Sequence, residues 1–287
     1  MLDYERLLHY PVPEVRQRYT RRDAALYALS VGFAQDPMDE RQLRFVDLRD
    51  DMLTTPSFAL VLGYPGFWLA RPDTGVDASR VVHGEQHVEL MRPLPAEGEI
   101  VGRTEITRII DRGIGKGALL YSRRTLLDAR TGEPLALTRA TMLLRGEGGF
   151  GGPAGPVDAP HPMPGDAPDF VCELATRPEQ ALYYRLNGDE NRIHADPSAA
   201  RAAGFERPIL HGMCTYGFAC HALLRTLQNY DPRAIRSMGM RFTTPVFPGE
   251  TLRVEIWKDG SFRVKVPERG VVVVDNGCMR RFGGGTQ

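Results

Sequence analysis

The stretch HGMCTYGFACHALLRTLQNY, residues 211–230, decides the fold of this chain. Its apolar residues recur at alternating steps of three and four positions, which is the spacing of one helix face: Met213, Tyr216, Cys220, Leu223 and Leu227. The opposite face carries Phe218, Ala219 and Leu224. A helix that is apolar nearly all round has to be buried, so we expect a sheet wrapped around it.

Segments with the alternation of β-strands follow this helix. They are TLRVEIW from Thr251, SFRVKV from Ser261 and VVVVDNGCMRRF from Val271. The first half of the chain has corresponding segments, EIVGRTEITRII, GALLYSRRTLLDA and PLALTRATMLLR, separated by glycine-containing turns. Long antiparallel strands around a buried helix predict an α+β hot-dog unit, and two such sets predict a double hot dog.

Two short motifs recur in the same order in each half. ALYALSVG (25–32) resembles ALYYRLNG (181–188), and PLPAEGE from Pro93 resembles PVFPGE from Pro245. The separations are 68 and 64 residues, which indicates an internal duplication. Glycine and proline fill more than half of the segment between Arg145 and Pro168. We therefore predict a first unit at 1–147, a linker at 148–168 and a second unit at 169–287.

Composition excludes several classes of partner. The 287 residues carry 36 Lys and Arg against 36 Asp and Glu, so net charge favours neither nucleic acid nor an anionic membrane surface. The four cysteines lack the density of a disulfide scaffold and the spacing of a CxxC metal site. The first residues do not form a signal peptide, no run reaches membrane-spanning length, and the terminal GGGTQ is not a peroxisomal tripeptide. These features predict a cytoplasmic protein.

The segment GDENRIHADP places Asp189, Asn191 and His194 within six residues. These side chains could simply cap and turn the chain, with Asp196 as the N-cap and Pro197 as the first residue of a following helix. A metal site formed by Asp189, His194 and Asp196 is disfavoured, because no fourth ligand stands nearby. A catalytic role is favoured because the first half has no counterpart: after Gly32 it contains no histidine before position 83.

His211 and Gly212 stand where the buried helix is predicted to begin. The N–H of Gly212 would be an unpaired donor at the positive end of the helix dipole, and glycine lets a ligand approach the backbone closely. His211 could also merely cap the helix, with Gly212 as a packing residue. Together with Asp189 and His194, Gly212 would complete a set of acid, base and oxyanion donor.

These residues resemble a known family. YRLNGDENRIHADP, GFERPILHGMCTYG, HGEQHVELMRPLP and GEGGFGG are similar to motifs of the (R)-specific 2-enoyl-CoA hydratases, or type 2 hydratases. These are MaoC-like dehydratases that also occur as a domain of the peroxisomal multifunctional β-oxidation enzyme. The resemblance implies a double hot dog, a homodimer and reversible syn addition of water to a trans-2-enoyl-CoA, giving a (3R)-hydroxyacyl-CoA. It implies no cofactor and no metal, since CoA is part of the substrate.

The resemblance also implies roles for individual residues. Asp189 and His194 match the catalytic pair, Asn191 the amide of the motif, and Gly212 the backbone donor to the thioester carbonyl. The residues that fall at the family's acyl-CoA contacts are His83, Gly84, Arg112 and Phe242. This chain has Asn191-Arg192-Ile193-His194 where the family usually has N-P-L-H, and losing the proline should loosen the loop.

Two other functions remain open from the sequence. A hot-dog acyl-CoA thioesterase would use the same fold and release free thiol, but it would not need the D-x-N-x-x-H loop. A non-catalytic acyl-CoA-binding protein would need neither Asp189 nor His194. The pathway could be fatty-acyl or steroid side-chain metabolism. The segment TTPSFALVLGYPGFWLA is predicted to be a core helix, and the family's degenerate half favours medium, long or branched acyl tails.

Overall fold

The computed structural model describes residues 2–283, whose strands form a ten-stranded antiparallel sheet. Most of the terminal GGGTQ therefore lies outside the described residues. The strands are β1 (Val15–Tyr19), β2 (Val81–Leu90), β3 (Gly98–Asp111), β4 (Ala118–Asp128), β5 (Pro134–Leu144), β6 (Phe170–Ala175), β7 (Ile235–Phe242), β8 (Thr251–Ile256), β9 (Ser261–Val266) and β10 (Val271–Arg281).

The sheet consists of two halves with the same internal order. Outward from the centre, the first half runs β2-β5-β4-β3-β1 and the second runs β7-β10-β9-β8-β6. The halves join where β2 pairs antiparallel with β7, with Glu85 opposite Arg241 and Glu89 opposite Ser237. Each half is one hot-dog unit, so the predicted double hot dog is confirmed. The exact unit boundaries remain predictions.

Within residues 2–283, six α-helices accompany the sheet: α1 (Tyr4–Leu8), α2 (Arg21–Ser30), α3 (Glu40–Leu43), α4 (Gln180–Arg185), α5 (Pro197–Ala202) and α6 (Gly212–Leu227). Helices α2 and α4 follow the first strand of their units and carry the repeated ALY motif. Each is followed by a glycine with positive φ, Gly32 at 87° and Gly188 at 103°. Glycine adopts this conformation without steric cost, which explains its recurrence in both motifs.

Helix α6 lies at the centre of the hydrophobic core. Every residue from Cys214 to Leu224 is buried, as the all-round apolar pattern predicted. Tyr216 satisfies its hydroxyl in this apolar setting by donating to the carbonyl of Met238 on β7. The helix is therefore fixed to the strand at the junction between the two units.

The first unit has no long helix equivalent to α6 among the described residues. The segment predicted as a core helix instead forms two short 3₁₀ turns, Pro56–Leu60 and Trp68–Ala70. Gly63 and Gly66 interrupt it with φ of 57° and 74°. A Cβ on Gly63 would lie 2.8 Å from the Cα of Gly102, so only glycine allows this close approach to β3. The prediction of a helix here was wrong because backbone packing overrides the apolar run.

The predicted linker has no helix or strand between residues 148 and 168, but it is attached to the sheet. Asp158 accepts from Arg108 at 2.7 Å, His161 Nε2 lies 2.8 Å from the Ser261 hydroxyl, and the Trp257 indole donates to the Asp166 carbonyl at 3.1 Å. Residues 158–162 roof a cleft whose floor is formed by strands from both units. The linker therefore crosses the sheet instead of looping into solvent.

Two further findings concern the described residues. No helix among them combines the length and apolarity needed to cross a bilayer. The four cysteines, Cys172, Cys214, Cys220 and Cys278, are all free thiols. The sequence-based expectation that they form no disulfide framework agrees with this.

We expect His221→Gln to flatten the dependence of stability on pH. His221 is buried on α6, stacked on Phe33 at 3.9 Å, and desolvation lowers its pKa to about 3. The unfolded imidazole therefore binds a proton between pH 6.5 and about 3 that the folded one does not, so the free energy of unfolding falls as pH falls. Removing the imidazole should remove up to about 1.4 kcal/mol per pH unit from that slope. Urea unfolding at pH 7 and pH 5 measures it.

The matched control is His9→Gln, because the His9 side chain is 75% exposed beside Glu5. It should leave the slope as it is in the parent protein. If stability depends on pH as steeply in His221→Gln as in the parent protein, the assignment of a neutral imidazole in the core is contradicted.

Candidate active site

The loop that follows α4 is shaped by its own polar side chains. The Asn191 side chain accepts from the Ile193 N–H at 3.3 Å and caps a 3₁₀ turn at Arg192–His194. Asp189 accepts from the Asn191 N–H at 3.2 Å. The Arg192 guanidinium pairs with Asp196, four residues on. The turn therefore forms without the family's proline, because a side-chain cap and an ion pair hold it.

Asp196 has the structural role expected of an N-cap. Its carboxylate accepts from the N–H groups of Ser198 and Ala199, and Pro197 is the first residue of α5. The alternative metal site formed by Asp189, His194 and Asp196 is therefore wrong with respect to Asp196, because this carboxylate accepts hydrogen bonds at the start of α5.

The structure brings Asp189, His194 and His211 together. One carboxylate oxygen of Asp189 and one ring nitrogen of each histidine all lie within 4.8 Å of one another. The two imidazole rings stack at 3.8 Å between centroids, and both histidines are buried. Asp189 is half-buried and lines a cavity. The pair predicted from the motif, Asp189 and His194, is thus joined by a third titratable group that the prediction did not include.

Backbone carbonyls fix the tautomers of both histidines. His194 Nδ1 lies 2.8 Å from the Ile209 carbonyl, and His211 Nε2 lies 3.2 Å from the carbonyl of Asp189. A carbonyl can only accept, so these two nitrogens carry the protons. The remaining nitrogens, Nε2 of His194 and Nδ1 of His211, therefore keep their lone pairs.

Burial keeps both imidazoles neutral. Desolvation lowers the pKa of His194, while the carbonyl of Ile209 and the charge of Asp189 act in the opposite direction. Desolvation, with a contribution from His194, lowers the pKa of His211 to about 2. At neutral pH the site therefore contains, beside Asp189, an unprotonated imidazole nitrogen that can accept a proton.

Gly212 begins α6 beside this group. His211 is the residue before the helix, but its side chain makes no capping hydrogen bond, so the alternative that His211 acts as a side-chain cap is wrong. A Cβ on Gly212 would stand 3.5 Å from the ring of Phe242. The position tolerates a small side chain sterically, and its N–H belongs to the first turn, where helices offer unpaired donors.

The predicted acyl-CoA contacts separate into two groups. His83 lines the same cavity as Asp189, and its ring meets that of Phe242 edge-on at 5.3 Å. Gly84 lies beside it at an irregularity in the pairing of β2 with β5. Arg112 instead lies exposed on the turn between β3 and β4, outside the lining of this cavity. Three of the four positions are therefore close to the Asp189 loop and Arg112 is not part of the cavity.

The cavity measures about 110 Å³, and most of its lining was not foreseen. The segment predicted as a core helix contributes Leu60, Val61, Tyr64, Pro65, Phe67, Trp68 and Leu69. The first unit's strands contribute Thr104, Ser122, Arg124 and Thr138. Their alternation showed which residues share a face, but not which face turns toward the second unit. The adjacency of His211 to Gly212 was the one local signal for the third titratable group.

The same three side chains could hold a metal ion. Asp189 offers a carboxylate oxygen, and His194 and His211 each offer one ring nitrogen. One nitrogen of each ring is hydrogen-bonded to a backbone carbonyl, as is usual for metal-bound histidines. The donor set therefore fits a divalent ion as well as a proton-transfer site.

The chain resembles known proteins over nearly its whole length. Residues 160–278 match the family described as MaoC like domain, and residues 17–146 match the MFE-2 hydratase 2 N-terminal domain. "Enoyl-CoA hydratase 2, peroxisomal" of Arabidopsis thaliana is 39% identical, with 93% of this chain and 92% of that protein covered. "Enoyl-CoA hydratase ChsH3" of Mycobacterium tuberculosis is 40% identical, covering 96% and 97%. The crystal structure of a MaoC-like dehydratase from Phytophthora capsici superimposes with a TM-score of 0.84 at 32% identity, covering 96% and 98%.

We expect Asp189→Asn to lower the pKa of His194 further, because the Asp189 charge opposes the effect of desolvation. Long-range ¹H–¹⁵N correlation spectra over a pH titration measure both the pKa and the tautomer. Glu190→Gln is the matched control, since it removes an exposed charge next to Asp189 that does not line the cavity, and it should leave His194 unchanged. A proton on Nε2 of His194, or a pKa that rises in Asp189→Asn, would contradict the arrangement.

Proposed function

This chain belongs to the MaoC-like dehydratase family, with an N-terminal domain of the hydratase 2 type, and we propose on that premise that it hydrates trans-2-enoyl-CoA. The product is a (3R)-hydroxyacyl-CoA, formed by syn addition in a reversible reaction. The observation that carries the proposal is the approach of His194, whose Nε2 keeps its lone pair, to Asp189: a ring nitrogen of His194 lies within 4.8 Å of a carboxylate oxygen of Asp189, beside the start of α6. The protein is thus a hydro-lyase of acyl-thioester metabolism.

Hydration requires a water directed at Cβ and a proton delivered to Cα on the same face. The Asp189 carboxylate and His194 Nε2 are both acceptors, so together they can hold one water by its two hydrogens. As the oxygen bonds to Cβ, one of the two groups takes a proton from the water and a proton is returned to Cα. Because the two groups lie side by side, the pair acts as one acid–base unit.

The electron pair released from the double bond moves onto the thioester oxygen. The Gly212 N–H, at the positive end of the α6 dipole, is the group that would donate to this enolate oxygen. A single donor of this kind contributes about 3 kcal/mol to the transition state in other enzymes. The absence of a side chain on Gly212 lets the thioester approach, and the Phe242 ring 3.5 Å from its Cβ position limits that approach on one side.

Of the two units, as far as the structure describes them, only the second has such a loop. The first unit's counterpart begins at Phe33, which stacks on His221 of α6 and packs against Phe45 at 4.7 Å. That segment packs in the core around α6 and cannot hold reacting groups. The first unit therefore supplies cavity walls, and the second unit supplies the reacting groups. We also propose a cytoplasmic homodimer. The bacterial relative supports the location, whereas the plant relative is named as peroxisomal.

We expect Asp189→Asn and His194→Ala each to lower kcat by about 10³-fold, within the range for loss of a general acid–base group. The assay follows loss of the conjugated-thioester absorbance with trans-2-butenoyl-, trans-2-hexenoyl- and trans-2-decenoyl-CoA. Stereospecific hydroxyacyl-CoA dehydrogenases identify the product enantiomer. Glu190→Gln is the matched control, because this exposed neighbour in the loop lies outside the cavity lining.

Three results would refute this proposal. Release of free thiol would indicate a thioesterase, tight acyl-CoA binding without turnover would indicate a binding protein, and an (S) product would contradict the proposed (3R) stereochemistry.

We expect extensive dialysis against EDTA to leave kcat unchanged, because proton transfer by Asp189 and His194 accounts for every step without a metal. Metal analysis of the protein before and after dialysis provides the companion measurement. Loss of activity on chelation, restored by one divalent ion, would instead assign Asp189, His194 and His211 as its ligands.

A further inference from the structure

Arg124 on β4 is a buried cation in the wall of the cavity that contains Asp189. Only 7% of its surface is exposed. One terminal nitrogen donates to the Leu60 carbonyl at 2.6 Å, and the guanidinium lies 5.3 Å from the centroid of the Tyr64 ring. No carboxylate among the described residues pairs with it. Burying a charge without a counter-charge is costly, so this position requires an explanation.

Unsatisfied polar atoms surround Arg124 in the cavity wall. The Nε of Arg124, the hydroxyl of Tyr184 and the hydroxyl of Thr104 are all buried, and none has a hydrogen-bond partner among the described residues. Their residues line the same cavity. Buried polar groups are almost always paired in proteins, so three orphans in one wall indicate a site for an oxygen-bearing ligand.

Arg124 is close enough to the reacting groups to meet the far end of a substrate. Arg124 and Asp189 line one cavity, and Tyr64, whose ring centroid is 5.3 Å from the Arg124 guanidinium, lines it as well. The cavity of about 110 Å³ has room for roughly four water-sized groups. An acyl tail that leaves the Asp189 loop through this cavity therefore reaches Arg124 within a few carbons.

We propose that the acyl group taken by this enzyme ends in a carboxylate, which binds the Arg124 guanidinium with the hydroxyls of Tyr184 and Thr104 nearby. The inference rests on the proposed hydratase function and specifies its substrate class: short 2-enoyl-CoA thioesters of dicarboxylic acids. A carboxylate supplies the missing counter-charge and accepts a hydrogen bond from the Nε–H of Arg124, which otherwise has no acceptor. A methyl-ended tail of the same length would leave the cation unpaired and bury apolar surface against it. The medium, long or branched tail expected from the sequence is less suited to this cavity.

The first test needs no mutation. Initial rates are compared for pairs of thioesters that have equal chain length and differ at the far end: trans-2-pentenedioyl-, trans-2-hexenedioyl- and trans-2-octenedioyl-CoA against the corresponding methyl-ended enoyl-CoA esters. At the best length we expect kcat/KM to favour the carboxylate by about 100-fold, in line with a buried charge pair. Equal or better hydration of the methyl-ended ester at every length would overturn the inference while leaving the hydratase intact.

The second test is Arg124→Met. It should lower kcat/KM for the dicarboxylic thioester about 100-fold, mainly by raising KM. The kcat/KM for the methyl-ended thioester should stay unchanged or rise, so the preference for the carboxylate should disappear. The matched control is Arg123→Met. Arg123 is the next residue on β4, its side chain pairs with Glu105, and it lines the cleft beneath the linker instead of this cavity. Arg123→Met should keep the full preference.

The outcomes separate the inference from the function on which it rests. Arg124→Met could instead lower kcat/KM equally for both thioesters while its melting temperature matches that of the parent. Arg124 would then only position the Leu60 segment, and the inference would fail. If Arg124→Met does not fold, the comparison of thioester pairs in the parent protein still decides. If the parent protein hydrates neither member of any pair, the hydratase proposal itself is wrong and the inference falls with it.

Discussion

The rest of the structure depends on the burial of α6 from Cys214 to Leu224. A helix with apolar residues on all sides cannot lie on a surface, and α6 packs against β6, β7 and β8 of the second unit and the Pro56–Leu60 turn of the first. Enclosure fixes where the helix begins, and its first residue is Gly212, directly after His211. The positive end of the helix dipole is therefore held beside the Asp189 loop by the same packing that forms the core. Stability and the position of the oxyanion donor have a common origin in this chain.

The two units have diverged in what they do with the same topology. The strand orders are identical, yet the second unit keeps a long helix and a polar loop, while the first replaces the helix with 3₁₀ turns and the loop with aromatic core residues. The first unit's strands then turn Thr104, Arg124 and Thr138 toward the reacting groups of the second. Chemistry comes from one unit and most of the cavity wall from the other, across the junction of β2 and β7.

Local patterns predicted a large part of this structure. The spacing of residues 213–227 gave α6, alternation gave the strands after Thr251, and Asp196 with Pro197 gave the start of α5. Asp189 and His194 were found because their motif occurs in one half only. His211 and Arg124 were missed as parts of the site, because stacking on His194 and facing the cavity depend on contacts between segments distant in sequence. The helix predicted around Phe58 was wrong because Gly63 packs directly on Gly102, a contact that no local pattern reveals.

The division of labour between the units has a consequence for how such a chain can change. Because the acid–base loop belongs to the second unit and the cavity wall largely to the first, substitutions on β3 to β5 and in residues 60–69 can alter the tail that fits without touching a group that moves protons. Selection can then change substrate specificity with little effect on the acid–base residues. Mutant libraries confined to the first unit should be rich in active variants with new preferences. In a symmetric dimer of single hot dogs, by contrast, every such change would appear in the wall and in the catalytic half at once.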